Sequence, residues 1–180
     1  MADTNAQFSA IIAKCRALFV DKMKDYGPSW RIMRPQSVTD QIFIKAKRIR
    51  TLEITGESKV GDGIRPEYIG IVNYGIIGLI QLELGFSDFV DISREKATEL
   101  YDKYAQLTTS LMFNKNSDYG EAWRDMRMSS YTDMVLTKIQ RTKQIENNGG
   151  STIVSEGIDA NYMDMINYSI FALIKIDFPE

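Results

Sequence analysis

KMKDYGPSWR at residues 22–31 and KNSDYGEAWR at residues 115–124 are one stretch written twice, 93 positions apart. Extending the register outward lays Leu18–Glu53 over Leu111–Glu146. Fifteen of 36 positions are identical, including Lys45 with Lys138, Arg48 with Arg141, Thr39 with Thr132 and Asp40 with Asp133. Unrelated sequence would give roughly two. After one inserted residue, Tyr68, Asn73 and Tyr74 meet Tyr162, Asn167 and Tyr168. The chain is internally duplicated, and the repeated residues are mainly polar and aromatic.

Each copy spells three helical segments. The first, at about 5–26 and 94–119, stops at Asp-Tyr-Gly, where Gly27 and Gly120 suit left-handed caps and Pro28 resists continuation. Ser37-Val38-Thr39-Asp40 and Ser130-Tyr131-Thr132-Asp133 read as capping signals that open the second helix. It runs to about Ile54 and Asn147, into loops with Gly56, Gly61, Gly63 and with Gly149, Gly150, Gly157. The third helix, at about 65–84 and 159–177, is apolar nearly all round and belongs at the centre. No alternating strand pattern competes. The expected fold is all-α, a six-helix bundle of two pseudo-symmetric three-helix repeats, 1–90 and 91–180, sharing one core.

Composition narrows the chemistry. With 44% apolar and 26% charged residues, the 180-residue chain is an ordinary globular protein. Lys and Arg number 22 against 24 Asp and Glu, so no basic field draws it to nucleic acid as its main partner. It has no histidine, which removes the commonest general base and every Ser-His triad. The single cysteine, Cys15, among Ile11, Ile12, Leu18 and Phe19, reads as a small buried apolar residue. Any metal would be a hard cation held by carboxylates, Mg²⁺ or Mn²⁺. Met1–Gln7 lacks the pattern of an export signal, and the longest apolar stretch, Tyr68–Leu84, carries Asn73, Gln81 and Glu83. A cytoplasmic protein without a membrane partner is expected.

On the second helix Ile42, Ala46, Ile49 and Leu52 form the core stripe, with Lys45 close beside it. Lys138 sits likewise between Val135 and Thr142, and Arg48 and Arg141 follow one turn later. A lysine so placed needs a carboxylate or a bound anion. Two readings stay open, a phosphate clamp or an internal salt bridge to the third helix. On that helix Asn161, Asp164, Asn167, Tyr168 and Phe171 share a face, against Glu67, Gly70, Asn73, Tyr74 and Ile77 in the first copy. Each copy keeps one acid, at different turns. If the central helices lie side by side, Glu67 and Asp164 can form one composite Mg²⁺ site with catalytic acids; otherwise they are solvated or salt-bridged. Asp40 and Asp133 read first as helix-start acids that complete a cap. Trp30 and Trp123, with Tyr26 and Tyr119, pack under the short connection or stack on a nucleobase.

The pattern Lys-x-x-Asp-Tyr-Gly-x-x-Trp-Arg, then Thr-Asp, Lys and Arg, then Asp-x-x-Asn-Tyr, resembles the first nucleotide-modification-associated domain family. The likeness covers Lys22–Tyr74 and Lys115–Tyr168, and implies a role in nucleotide metabolism or base modification. A more distant likeness is to MazG-like all-α nucleoside triphosphate pyrophosphatases, whose carboxylate motifs hold Mg²⁺ against a triphosphate. Asn161-Tyr162-Met163-Asp164 and Glu67-Tyr68-Ile69-Gly70 each resemble one such motif with an acid missing. Where the other motif would stand, this chain has Lys45-x-x-Arg48 and Lys138-x-x-Arg141, which attract phosphate directly. The leading expectation is hydrolysis of a nucleoside or pterin triphosphate to monophosphate and pyrophosphate. Lys45, Arg48, Lys138 and Arg141 would bind phosphate, and Glu67 and Asp164 would hold Mg²⁺. The alternatives are a non-catalytic nucleotide-binding protein or scaffold, and a homo-oligomer assembled through helical faces.

Overall fold

The first helix opens on Asp3, whose carboxylate accepts from the Ala6 N–H. A computed structural model describes residues 3–56 and 63–180; Met1 and Gly61 lie outside them. In each copy a long helix, a four-residue 3₁₀ turn and two more helices follow in the same order. These are α1 (Thr4–Tyr26), α2 (Pro35–Thr55) and α3 (Arg65–Leu84), then α4 (Arg94–Tyr119), α5 (Met128–Asn147) and α6 (Ile158–Asp177). The turns, Ser29–Ile32 and Ala122–Asp125, carry Trp30 and Trp123. The described residues are all-helical and pack as a bundle, without strands.

The helix starts correct one expectation. α2 and α5 begin two residues before Ser37 and Ser130, with Arg34 and Arg127 at the cap positions and no side-chain cap. Pro35 explains the first of these, since proline at the opening position forfeits no hydrogen bond and has helical φ already. Asp40 and Asp133 consequently lie beyond the first turn. They form reciprocal surface pairs between the copies, Lys143–Asp40 at 3.7 Å and Arg50–Asp133 at 2.6 Å. The caps differ as well. Gly120 is left-handed, whereas Gly27 combines positive φ with extended ψ, the geometry that a following proline imposes.

α3 and α6 form the centre. A Cβ on Gly75 would lie 2.5 Å from Ile166 Cγ1, and one on Gly78 would lie 3.0 Å from Tyr162 Cζ. Contacts advance along α3 as they retreat along α6, so the two helices cross antiparallel, drawn together by glycine. Around them α2 packs on α3 and α5, α5 packs on α6, and α1 and α4 close the sides. Equivalent residues then make equivalent bonds. Thr39 and Tyr162 share a hydroxyl bond of 2.6 Å, as do Thr132 and Tyr68 at 2.7 Å, each crossing between copies. Gln81 Nε2 caps the Met33 carbonyl at 2.6 Å and Lys175 Nζ caps that of Met126 at 2.6 Å, holding the two 3₁₀ turns. Buried residues of both copies belong to one continuous core. Cys15 is inside it, and burial pushes its thiol up to about 12. Among the described residues no helix is long and apolar enough to cross a membrane.

Candidate functional site

In the second copy the duplicated residues converge on a cavity of about 360 Å³, within the range of small-ligand sites. α4 contributes Lys115 and Tyr119, the turn contributes Trp123, α5 contributes Lys138, and α6 contributes Asp164, Asn167 and Tyr168. Asp164 is the buried anchor. Its Oδ1 accepts from Lys115 Nζ at 2.7 Å, and its Oδ2 lies 2.8 Å from Lys138 Nζ. Two cations on one carboxylate leave a positive charge over. Burial pulls the Lys115 ammonium down, but its bond to Asp164 and the carboxylate's charge outweigh this and hold it above the ordinary lysine range. The Tyr168 hydroxyl is pushed up, first by burial and then by the Asp164 charge.

The aromatic residues divide. Trp123 is buried between Phe171, stacked at 4.2 Å and 6°, and the Arg124 guanidinium, 4.4 Å from the ring centroid. Both its faces are taken, and Trp30 is equally buried against Phe19, so the tryptophans offer no open stacking face. The tyrosines are not core packing. Tyr26 is 55% and Tyr119 74% exposed, and Tyr119 with half-buried Tyr168 supplies the ring surface at this cavity.

Comparison with protein families matches residues 22–82 and 115–176 to a family described as Nucleotide modification associated domain 1. The chain belongs to this family. The two matched segments start at Lys22 and Lys115 and cover most of the chain, so the domain is present here in tandem. No curated protein and no solved structure matches. The likeness to MazG-like pyrophosphatases therefore rests on the sequence motifs alone.

The two copies of the domain are not equivalent at the site. Gly70 stands where the second copy has Asp164, and the space is filled by Lys45, whose Cδ and Cε come within 2.7 Å of a Cβ built on Gly70. Glu67, one turn earlier, takes the bases instead, accepting from Arg48 at 2.9 Å and lying 3.7 Å from Lys45 Nζ. Lys22, the counterpart of Lys115, is exposed, and its side chain has no hydrogen bond or ion pair among the described residues. Asn73 donates to the Cys15 carbonyl at 3.0 Å and accepts from Tyr101 at 2.7 Å. Asn167 donates likewise to Thr108, yet its Oδ1 is buried without a partner, because Phe8 occupies the position equivalent to Tyr101.

The composite metal site does not form. In the antiparallel register Asp164 lies level with about Ile76, roughly nine residues and so about 13 Å along the axis from Glu67. Each acid is engaged by two bases of its own copy, and no three acidic or sulfur groups cluster as metal ligands among the described residues. These donors do not fit a carboxylate-held Mg²⁺. Arg141 lies outside the cavity, in an adjoining groove that shares Lys138 with it. Among the lining residues that sequence reasoning did not put forward are Lys115 and Tyr168. Both are identical between the copies, and that identity was the signal that pointed to them.

Proposed function

We propose that this is a cytoplasmic nucleotide-phosphate-handling protein, and that its second domain copy binds a nucleoside phosphate or a related pterin phosphate. One observation carries the reading: Lys115 and Lys138 converge on the single buried carboxylate of Asp164 beside the exposed ring of Tyr119. An ammonium pair gathered on one buried carboxylate is preorganised for an anion, and the neighbouring ring suits a planar base. An arriving phosphate takes over part of the lysines' hydrogen bonding, and Asp164 holds them in place.

The finer reading is hydrolysis of a triphosphate to monophosphate and pyrophosphate. Lys115 and Lys138 would stabilise charge developing on the phosphate next to the nucleoside as its bond to the pyrophosphate breaks, and Asp164 would orient the attacking water. No step runs through Mg²⁺, because the two carboxylates do not share a site. The test is thermal shift against nucleoside and pterin triphosphates, with pyrophosphate release measured in the same wells, for wild type and Lys138→Met. Stabilisation and pyrophosphate release, both lost in the variant, support hydrolysis. Stabilisation without release leaves a binding protein, and the absence of any shift sinks the phosphate-site reading.

A further inference from the structure

α5 carries a lysine and an arginine one turn apart, as α2 does, but the two arginines have opposite fates. Arg48 is held by Glu67 at 2.9 Å. In the second copy Asn161 stands where Glu67 does, and the acid reappears one turn later as Asp164. The displaced carboxylate takes Lys138 and Lys115, and Arg141 is left over. It is exposed and its side chain forms no hydrogen bond or ion pair among the described residues, while Lys138 and Lys143 on the same helix are both paired.

Arg141 faces a groove of about 980 Å³ that Lys138 also lines. The groove thus continues from the deep cavity across that ammonium. Its polar wall includes Gln144 and Asn161, and its one acid is Glu156, whose charge acts on Lys115. Lys115, Lys138 and Arg141 against Asp164 and Glu156 still leave a net positive charge. Arginine at this place offers a planar fork matched to phosphate oxygens.

Building on the cavity reading above, we propose that Arg141 is an anion subsite that reads the length of the ligand's phosphate chain, selecting nucleoside di- or triphosphates over monophosphates. The phosphate next to the nucleoside meets Lys115 and Lys138, and the chain then passes over Lys138 to the guanidinium.

The experiment is calorimetric titration of the full chain with the four α,β-methylene deoxynucleoside triphosphates, which resist cleavage, and the four monophosphates. Wild type is compared with Arg141→Gln and, for the deep cavity, with Lys138→Met. Arg141→Gln is expected to weaken the triphosphate analogue about tenfold while the monophosphate stays within about twofold, the loss of one charge-assisted contact. Equal loss of both, or loss of neither, overturns the subsite while leaving the cavity reading standing. Binding of none of the eight by wild type overturns the subsite and the nucleoside form of the cavity reading together.

Discussion

Asp164 shows how much one residue decides here. It is the acceptor for two ammonium groups, one of them 12% exposed, and removing it leaves the largely covered Lys138 without a counter-charge. Asp164→Asn is therefore expected to lower stability by about 1–3 kcal/mol in urea denaturation, discounted because Lys115 is 42% exposed. An unchanged midpoint would mean that the pair is not engaged in solution. Asp177 gives a pH-dependent counterpart. The Arg65 guanidinium at 2.8 Å, opposed by burial and helped by Lys14, holds its carboxyl down at about 2. A depressed carboxyl stabilises the fold above its unfolded value of about 3.9, and the contribution is lost as pH falls toward 2. Asp177→Asn should cost about 2 kcal/mol at pH 7. That difference from wild type should shrink between about pH 4 and pH 2, as thermal melts across this range would show.

At the scale of elements, two glycines on α3 make opposite demands. A Cβ at Gly75 would meet Ile166 Cγ1 at 2.5 Å inside the α3–α6 crossing, where both helices are fixed by the core. Gly75→Ala is expected to cost about 1–3 kcal/mol through overpacking, a drop of several degrees in melting temperature. At Gly70 the nearest atoms belong to the flexible Lys45 stem, which has room to swing, and alanine favours a helix by about 1 kcal/mol. Gly70→Ala should then be neutral or mildly stabilising. Similar losses at both positions would show that the crossing is not the constraint. Helix extents were legible because apolar spacing and glycine stops are local, and all three segments of each copy lie within a residue or two of their expected bounds. The start of α2 was misjudged because Ser37-Val38-Thr39-Asp40 looks like a cap while Pro35 had already opened the helix.

Across the whole molecule, the bonds of Tyr68 to Thr132 and of Tyr162 to Thr39 tie each copy to the other, and α3 packs on α6 at least as much as on α2 of its own copy. A lone copy would expose the apolar face of its third helix. Residues 1–90 or 91–180 expressed singly are expected to be unfolded or aggregated by circular dichroism, and to regain helical signal when mixed. A cooperative melt from either half alone would refute this.

Repetition within the chain established the duplication, the helical class and the set of residues worth watching, because identity at a fixed spacing and a 3.6-residue period are properties of the chain read along its length. Lys115 and Tyr168 were in that set without being singled out. The pairing of charges was only half open to such reading: a salt bridge from Lys45 and Lys138 to the third helix was one of two alternatives, and the structure forms it in both copies. Lys138 with Asp164, Lys45 with Glu67 and Asp40 with Lys143 join different helices, and their distances depend on how helices cross rather than on spacing along any one of them. The same holds for the separation of Glu67 from Asp164, which follows from the antiparallel sense of α3 and α6. It holds equally for the site itself, since Lys45 fills the space at Gly70 in one copy while Asp164 lines an open cavity in the other.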